Sequence, residues 1–341
     1  MRLNSIVKFL FFLAATALSA QTTITTPRVG VLDYYGLHKV TPERIQRVLA
    51  TREGDPFPQS KGEVEERLDK IPGVVRSHLE AVCCDGGKTV LFVGIEEKGA
   101  SHFPFRSAPI GTVELPADVI GAYHEFLETA EGAARAGSTG EDMSNGHSLM
   151  DDQASRRIQV RFVVIAERDL LLLRNVLRNS ADPEHRAAAA YIIGYASKKR
   201  DVVDDLQQAI QDPDDSVRNN AMRALYAISV LASLKPELGL QVAPTWFVEM
   251  LNSIVWSDRT KAVTTLVNLT DSRPEKVLTL IRERALPSLV EMARWKSLTH
   301  AMAPFMLLGR VAGMTDQQIA DSWTKGERDA VIAKALKSGR K

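Results

Sequence analysis

Residues 212–229, DPDDSVRNNAMRALYAIS, constrain this chain more than any other stretch. Asp212-Pro213 closes one segment, and Asp214, Asp215 and Ser216 supply capping side chains and negative charge for the positive end of a new helix. Val217, Ala221, Ala224, Leu225 and Ile228 then recur at spacings of three and four, a narrow apolar stripe of mostly small side chains that lets helices pack closely. The same pattern stands upstream in residues 182–194, DPEHRAAAAYIIG, where Arg186, Ala189 and Ile193 take the offsets of Arg218, Ala221 and Leu225. It returns downstream in RTKAVTTL with Arg259, Ala262 and Leu266. Units of about 30 to 45 residues that cannot bury their apolar faces alone must stack on one another, so this pattern predicts an all-α solenoid.

These residues resemble HEAT repeats, in particular the short bacterial HEAT-like kind, through Asp212-Pro213, Val217-Arg218 and Ala224-Leu225. The resemblance implies a fold that binds or scaffolds. It also implies that the arginine after each helix start ties to the acidic turn of a neighbouring repeat. Arg186 and Arg218 then become stacking residues, with Asp182, Asp212 and Arg259 as further structural residues of the repeats. The solenoid is expected over residues 151–341, in about four or five helical pairs. Pro304 marks a kink, and residues 316–336, with Trp323, form a terminal cap.

Composition sets the outer limits. A chain of 341 residues has room for two domains. Its 45% hydrophobic and 25% charged residues argue against disorder and against a membrane-embedded chain. With 43 Lys and Arg against 42 acidic residues there is no global field to hold a polyanion, so nucleic acid is not expected as a partner.

Residues 1–20 read as a signal peptide. Arg2 and Lys8 precede an apolar run over residues 9–15, extended by Ala17 and Leu18, and small residues allow cleavage after Ser19 or Ala20. The run is shorter than the roughly 20 residues of a spanning helix, no lipobox cysteine follows it, and no other segment is long and apolar enough to span. The mature chain is expected to be exported, periplasmic or secreted, without an integral span.

Residues 28–98 change to an α+β grammar. A strand over 29–35 ends at Gly36, and Thr41-Pro42-Glu43 opens a helix with Ile45, Val48 and Leu49 on one face. Ser60 and Glu63 form a capping box before Val64, Leu68 and Ile71. Residues 75–83 alternate as a strand, Asp85-Gly86-Gly87 turns the chain, and Leu91, Val93 and Ile95 alternate through a returning strand. The βααββ order, with GDPFP at 54–58, IPGV at 71–74 and IEEK at 95–98, resembles POTRA domains. That resemblance implies docking of other chains by strand addition at a sheet edge. A single such unit with no following train of strands does not build a barrel.

Residues 99–150 form a linker, with an amphipathic helix after Pro116 and a polar loop over 136–150. Within that loop Gly146-His147-Ser148 begins like a nucleophile elbow, but Met150 replaces the second glycine and no buried strand precedes it, so Ser148 reads as a polar helix approach. The seven histidines, His38, His78, His102, His124, His147, His185 and His300, show no zinc spacing, and no glycine pattern cradles a nucleotide; neither a metal nor a cofactor is expected. Cys83-Cys84 reads first as one buried and one exposed thiol, with a vicinal disulfide as the sharper alternative and a possible redox pair. Arg156, Arg157, Arg161 and Arg168 read as a solvated face. The expectation is an exported, non-enzymatic protein-binding adaptor or scaffold. Its alternatives are an enzyme, either a hydrolase at Ser148 or a lyase-type activity by repeat resemblance, and a structural component of an envelope assembly.

Overall fold

The computed structural model describes residues 27–338; the leader expected over residues 1–20 lies outside them. The N-terminal part is a small sheet region in the order β1 (Val31–Tyr35), α1 (Pro42–Leu49), α2 (Lys61–Asp69), β2 (Val74–Asp85) and β3 (Lys88–Glu97). The strands lie in the order β1-β3-β2, with β1 parallel and β2 antiparallel to the central β3. Thr41 and Ser60 stand at the N-caps of α1 and α2, and the Ser60 side chain accepts from the Glu63 N–H. Gly36 ends β1 at φ +79°, where a Cβ would lie 2.0 Å from the Ile95 carbonyl oxygen, so only glycine makes this turn.

Side-chain alternation divides the sheet into two faces. Leu32, Leu79, Leu91, Val93 and Ile95 pack with Ile45, Leu49, Val64 and Leu68 of the two helices into a local core. Tyr35, Val90 and Phe92 point the other way and belong to the core of the helical part. The sequence pattern marks only the first of these faces. Burial on both sides explains why residues 90–95 form an unbroken apolar run rather than a strict alternation.

The linker carries α3 (Ala117–Arg135), and the expected polar loop closes as a minimal hairpin of β4 (Glu141–Asp142) and β5 (Leu149–Met150). Then follow α4 (Gln153–Arg168), α5 (Leu170–Asn179), α6 (Pro183–Ile193), α7 (Arg200–Ala209), α8 (Asp215–Leu234), a 3₁₀ turn (Pro236–Leu238), α9 (Thr245–Met250) and α10 (Trp256–Leu269). The chain ends in α11 (Glu275–Arg284), α12 (Leu286–Ala293), α13 (Leu298–Val311), α14 (Asp316–Thr324) and α15 (Arg328–Ser338). Helices α6, α8, α10 and α13 neighbour one another in one layer, and α5, α7, α9 and α11 back them in a second. The alanines of α6 are buried all round, which admits a helix packed by neighbours on several sides. Asp152, Asp182 and Asp214 cap α4, α6 and α8 through their own carboxylates.

Candidate functional site

Three of the repeat arginines take nearly the same position. Arg186 donates to Asp212 through Nε (3.0 Å) and Nη2 (2.8 Å), and through Nη1 to the carbonyls of Ser180 and Ala181. Arg218 donates to Asp258 (3.0 Å) and to the carbonyls of Asp212 and Pro213. Arg259 donates to Glu291 (3.1 Å) and to the Ser253 carbonyl. Each guanidinium thus joins its own helix approach to an acid further along the chain. Asp182 sits apart from this chain of pairs as the N-cap of α6.

The solvent side of these arginines is covered. Arg106 of the linker adds a second guanidinium to Asp212 at 2.6 Å, the Phe105 ring lies 4.3 Å from the Arg218 guanidinium, and the Tyr35 ring lies 4.5 Å from that of Arg259. The carboxylates respond differently. Burial pushes Asp212 up, but Arg186 and Arg106 together hold it below its usual range. At Asp258 burial outweighs Arg218, and the carboxyl is raised.

The sheet region is joined to the repeats through helix N-termini. Helix α10 starts after Val255, which has no side chain able to cap, and the Ser257 N–H donates instead to Glu80 of β2 (3.3 Å). At the start of α13 the N–H groups of Lys296 and Ser297 donate to Asp33 of β1 (3.0 and 3.1 Å). There the Leu298 N–H and the Thr299 hydroxyl donate to Asp85 (3.2 and 2.7 Å). Carboxylates from one part satisfy orphan N–H donors of the other, and their charge suits the positive helix end. Burial raises the carboxyl of Asp33 despite those donors, whereas the Thr299 hydroxyl holds the half-buried Asp85 down. Around these bonds Phe92 stacks on Trp256 at 5.0 Å and meets Trp295 at 4.9 Å, and the Tyr35 hydroxyl donates to the Ile254 carbonyl (2.6 Å). Gly94 allows the approach, since a Cβ there would lie 2.5 Å from the Ile254 oxygen. Sequence reading missed Asp33, Glu80 and Asp85. The available signal was Val255, a helix start without a capping residue.

Ser148 is buried in the β4–β5 hairpin. Its hydroxyl donates to Glu141, which also accepts from Arg223, and its carbonyl accepts from the Tyr195 hydroxyl (2.8 Å). The adjacent His147 contacts Lys199 through Nδ1 (3.2 Å). Burial pulls Lys199 down to about 7, and burial beside Lys199 holds His147 at about 4, so the imidazole is neutral at pH 7 and accepts at Nδ1. Arg161 pairs with Glu125, and Arg168 with Asp118 and Asp169; Arg156 donates to the Met150 carbonyl, while Arg157 faces solvent.

Cys83 is exposed and disulfide-bonded, so the thiol reading does not hold for it; the Cys84 side chain lies outside the described residues. The β2–β3 register shifts between Val82 and Asp85, which releases this segment from regular strand geometry. Among the described residues no three His, Cys, Asp or Glu side chains converge as a metal-holding group, and no helix is long and apolar enough to cross a membrane.

A cavity of about 310 Å³ opens over α8 and α10, between the β4–β5 hairpin and the start of α10. Glu141, Met143, Arg223, Trp256, Thr260 and Lys261 are among its walls. Trp256 carries Phe92 on its ring, so this wall is also part of the junction with the sheet region. A second cavity of about 430 Å³ lies between the 36–38 turn and α12, where Glu291 holds both Arg259 and the Gly36 N–H.

The family of HEAT repeats matches residues 170–267, the span of α5 to α10. No curated protein matches the chain. Fold and comparison together define a helical region with HEAT-like repeats, preceded by a small three-stranded sheet region.

Proposed function

We propose that the chain is an exported, non-enzymatic adaptor or scaffold of the cell envelope that holds a protein partner. The observation that carries the reading is the repeat layer α6-α8-α10-α13, matched in part by HEAT repeats, a stacked architecture suited to extended binding surfaces. The βααββ order and the GDPFP, IPGV and IEEK segments support a POTRA-like N-terminal unit that takes up a partner strand. Its sheet face is committed to the repeats, so strand addition is confined to an edge. The β1 edge is occupied by residues 53–55, which exchange backbone bonds with Val29 (2.9 and 2.7 Å) and place Glu53 on the Leu32 N–H. On β2 the Leu79 N–H goes to Glu65, while Ala81 is exposed. The stretch around Ala81 is therefore the edge assigned to the partner, and the cavity over α8 and α10 is the repeat surface assigned to it.

The test uses the intact chain in its native envelope, with a photoreactive side chain at Ala81 or at Thr264 in the cavity wall. One protein captured from both positions, and a mature terminus at Ala20 or Gln21, support the reading. Intact Met1 protein found only in the cytoplasm, or no discrete product from either position, overturns it.

A further inference from the structure

Three residues around the cavity over α8 and α10 carry polar atoms closed off from solvent and without a partner among the described residues. Trp256 Nε1, Thr260 Oγ1 and Arg223 Nε are buried without a hydrogen-bond partner. The Lys261 ammonium in the same wall takes part in no hydrogen bond and no ion pair with the described residues. The charged groups facing it are Arg223 of α8 and Glu141 of the hairpin, and these two pair with each other. That pairing leaves Lys261 as a cation of the cavity wall with no ion pair among the described residues. Burial first and Arg223 second pull its amine down, against a smaller upward pull from Glu141. A cation in a cavity wall with no acceptor of its own is the group there that an incoming anion would satisfy. Beside it Met143, Met222 and the aromatic rings of Tyr226 and Trp256 give an apolar lining.

We propose that this cavity is a binding site for an anionic, acceptor-bearing group, a carboxylate or a phosphate on an apolar body, with Lys261 as its counter-ion. The proposal goes beyond the adaptor reading, because it concerns the class of group held, whichever molecule carries it. Glu141 would repel the anion were it free, but Arg223 and Ser148 occupy it. The volume admits a side chain or a short acyl segment rather than a folded domain. The Trp256 indole in the wall supplies an optical signal.

The probes are hexanoate, hexyl phosphate and hexanol, titrated into the full chain carrying ¹³Cε-labelled lysine. Either anion should move the Lys261 resonance saturably and change tryptophan emission, while hexanol at equal concentration does neither. Tighter binding of hexanoate identifies the group as a carboxylate, and tighter binding of hexyl phosphate as a phosphate. Lys261→Met should weaken the emission response about tenfold or more, the worth of one charge-assisted hydrogen bond, and Lys261→Arg should restore most of it. Circular dichroism and the melting midpoint of both variants separate loss of the site from loss of the fold. No saturable shift with either anion, an equal response to hexanol, or an undiminished response in a folded Lys261→Met chain overturns the proposal. None of these outcomes depends on capturing a protein, so the adaptor reading and this one fail separately.

Discussion

Arg218 and Arg135 are both arginines in ion pairs, yet their surroundings give them opposite weight. Arg218 and Asp258 are almost completely buried, so Arg218→Ala leaves a carboxylate inside the repeat stack without its counter-ion. That change should cost about 3–5 kcal/mol and lower the thermal midpoint clearly. Arg135 and Glu131 form a surface pair, and Arg135→Ala should leave the midpoint where it is. Equal midpoints for the two variants would mean that the buried pairs do not hold the repeats together. A second residue-scale effect concerns protons. Lys199 sits at about 7 in the folded chain against an ordinary 10.5, so the unfolded chain binds a proton that the folded one has released. Stability must then rise with pH between about 7 and 10.5 and be lost as pH falls through that window. His147 acts in the same sense lower down, from its ordinary 6.5 to about 4. Urea midpoints measured from pH 7 to pH 9 should climb in the parent chain and flatten in Lys199→Met. An unchanged slope would place the responsible group elsewhere.

Element by element, the chain's legibility follows how local each cause is. Helix starts with their own caps, Asp152, Asp182, Asp214 and Ser60, could be read directly, because donor and acceptor lie within a few residues of each other. The Asp-Pro and Val-Arg spacing located the repeat region for the same reason. The starts of α10 and α13 could not be read this way, since Glu80, Asp33 and Asp85 reach them from more than 170 residues away in the chain. Nor could the closing of the β4–β5 hairpin, which depends on Arg223 of α8 holding Glu141. These long-range caps carry their own prediction. Asp33→Ala leaves the N–H groups of Lys296 and Ser297 without their acceptor at a buried helix end, at a cost of about 1–3 kcal/mol. Hydrogen exchange should speed up first at residues 296–299, on the far side of the junction from the substitution. Exchange changes confined to β1 would show that the contact does not organise α13.

For the whole molecule the decisive feature is that one sheet face completes the repeat core. Tyr35, Val90 and Phe92 share a cluster with Trp256 and Trp295, so separating the two parts exposes large aromatic surfaces on both. The sheet and the helices should therefore unfold in a single cooperative transition, although the sequence reads as two modules. Gly94 offers the sharpest way to break that unity. It lies on the face of β3 turned to the repeats, and an added Cβ meets the Ile254 oxygen at 2.5 Å and the Tyr35 ring at 2.7 Å. The local core of Leu91, Val93 and Ile95 with α1 and α2 lies on the opposite face of the strand. Gly94→Val should wedge the junction while leaving each part able to form, so one unfolding transition becomes two. Residues 27–98 should then lose exchange protection before the helical part does. Phe92→Ala should act in the same direction by about 3–5 kcal/mol, removing the ring that packs against both tryptophans. If Gly94→Val still melts in one step, with sheet and helices losing protection together, cooperativity is carried by the linker contacts of Phe105 and Arg106 rather than by the docked sheet.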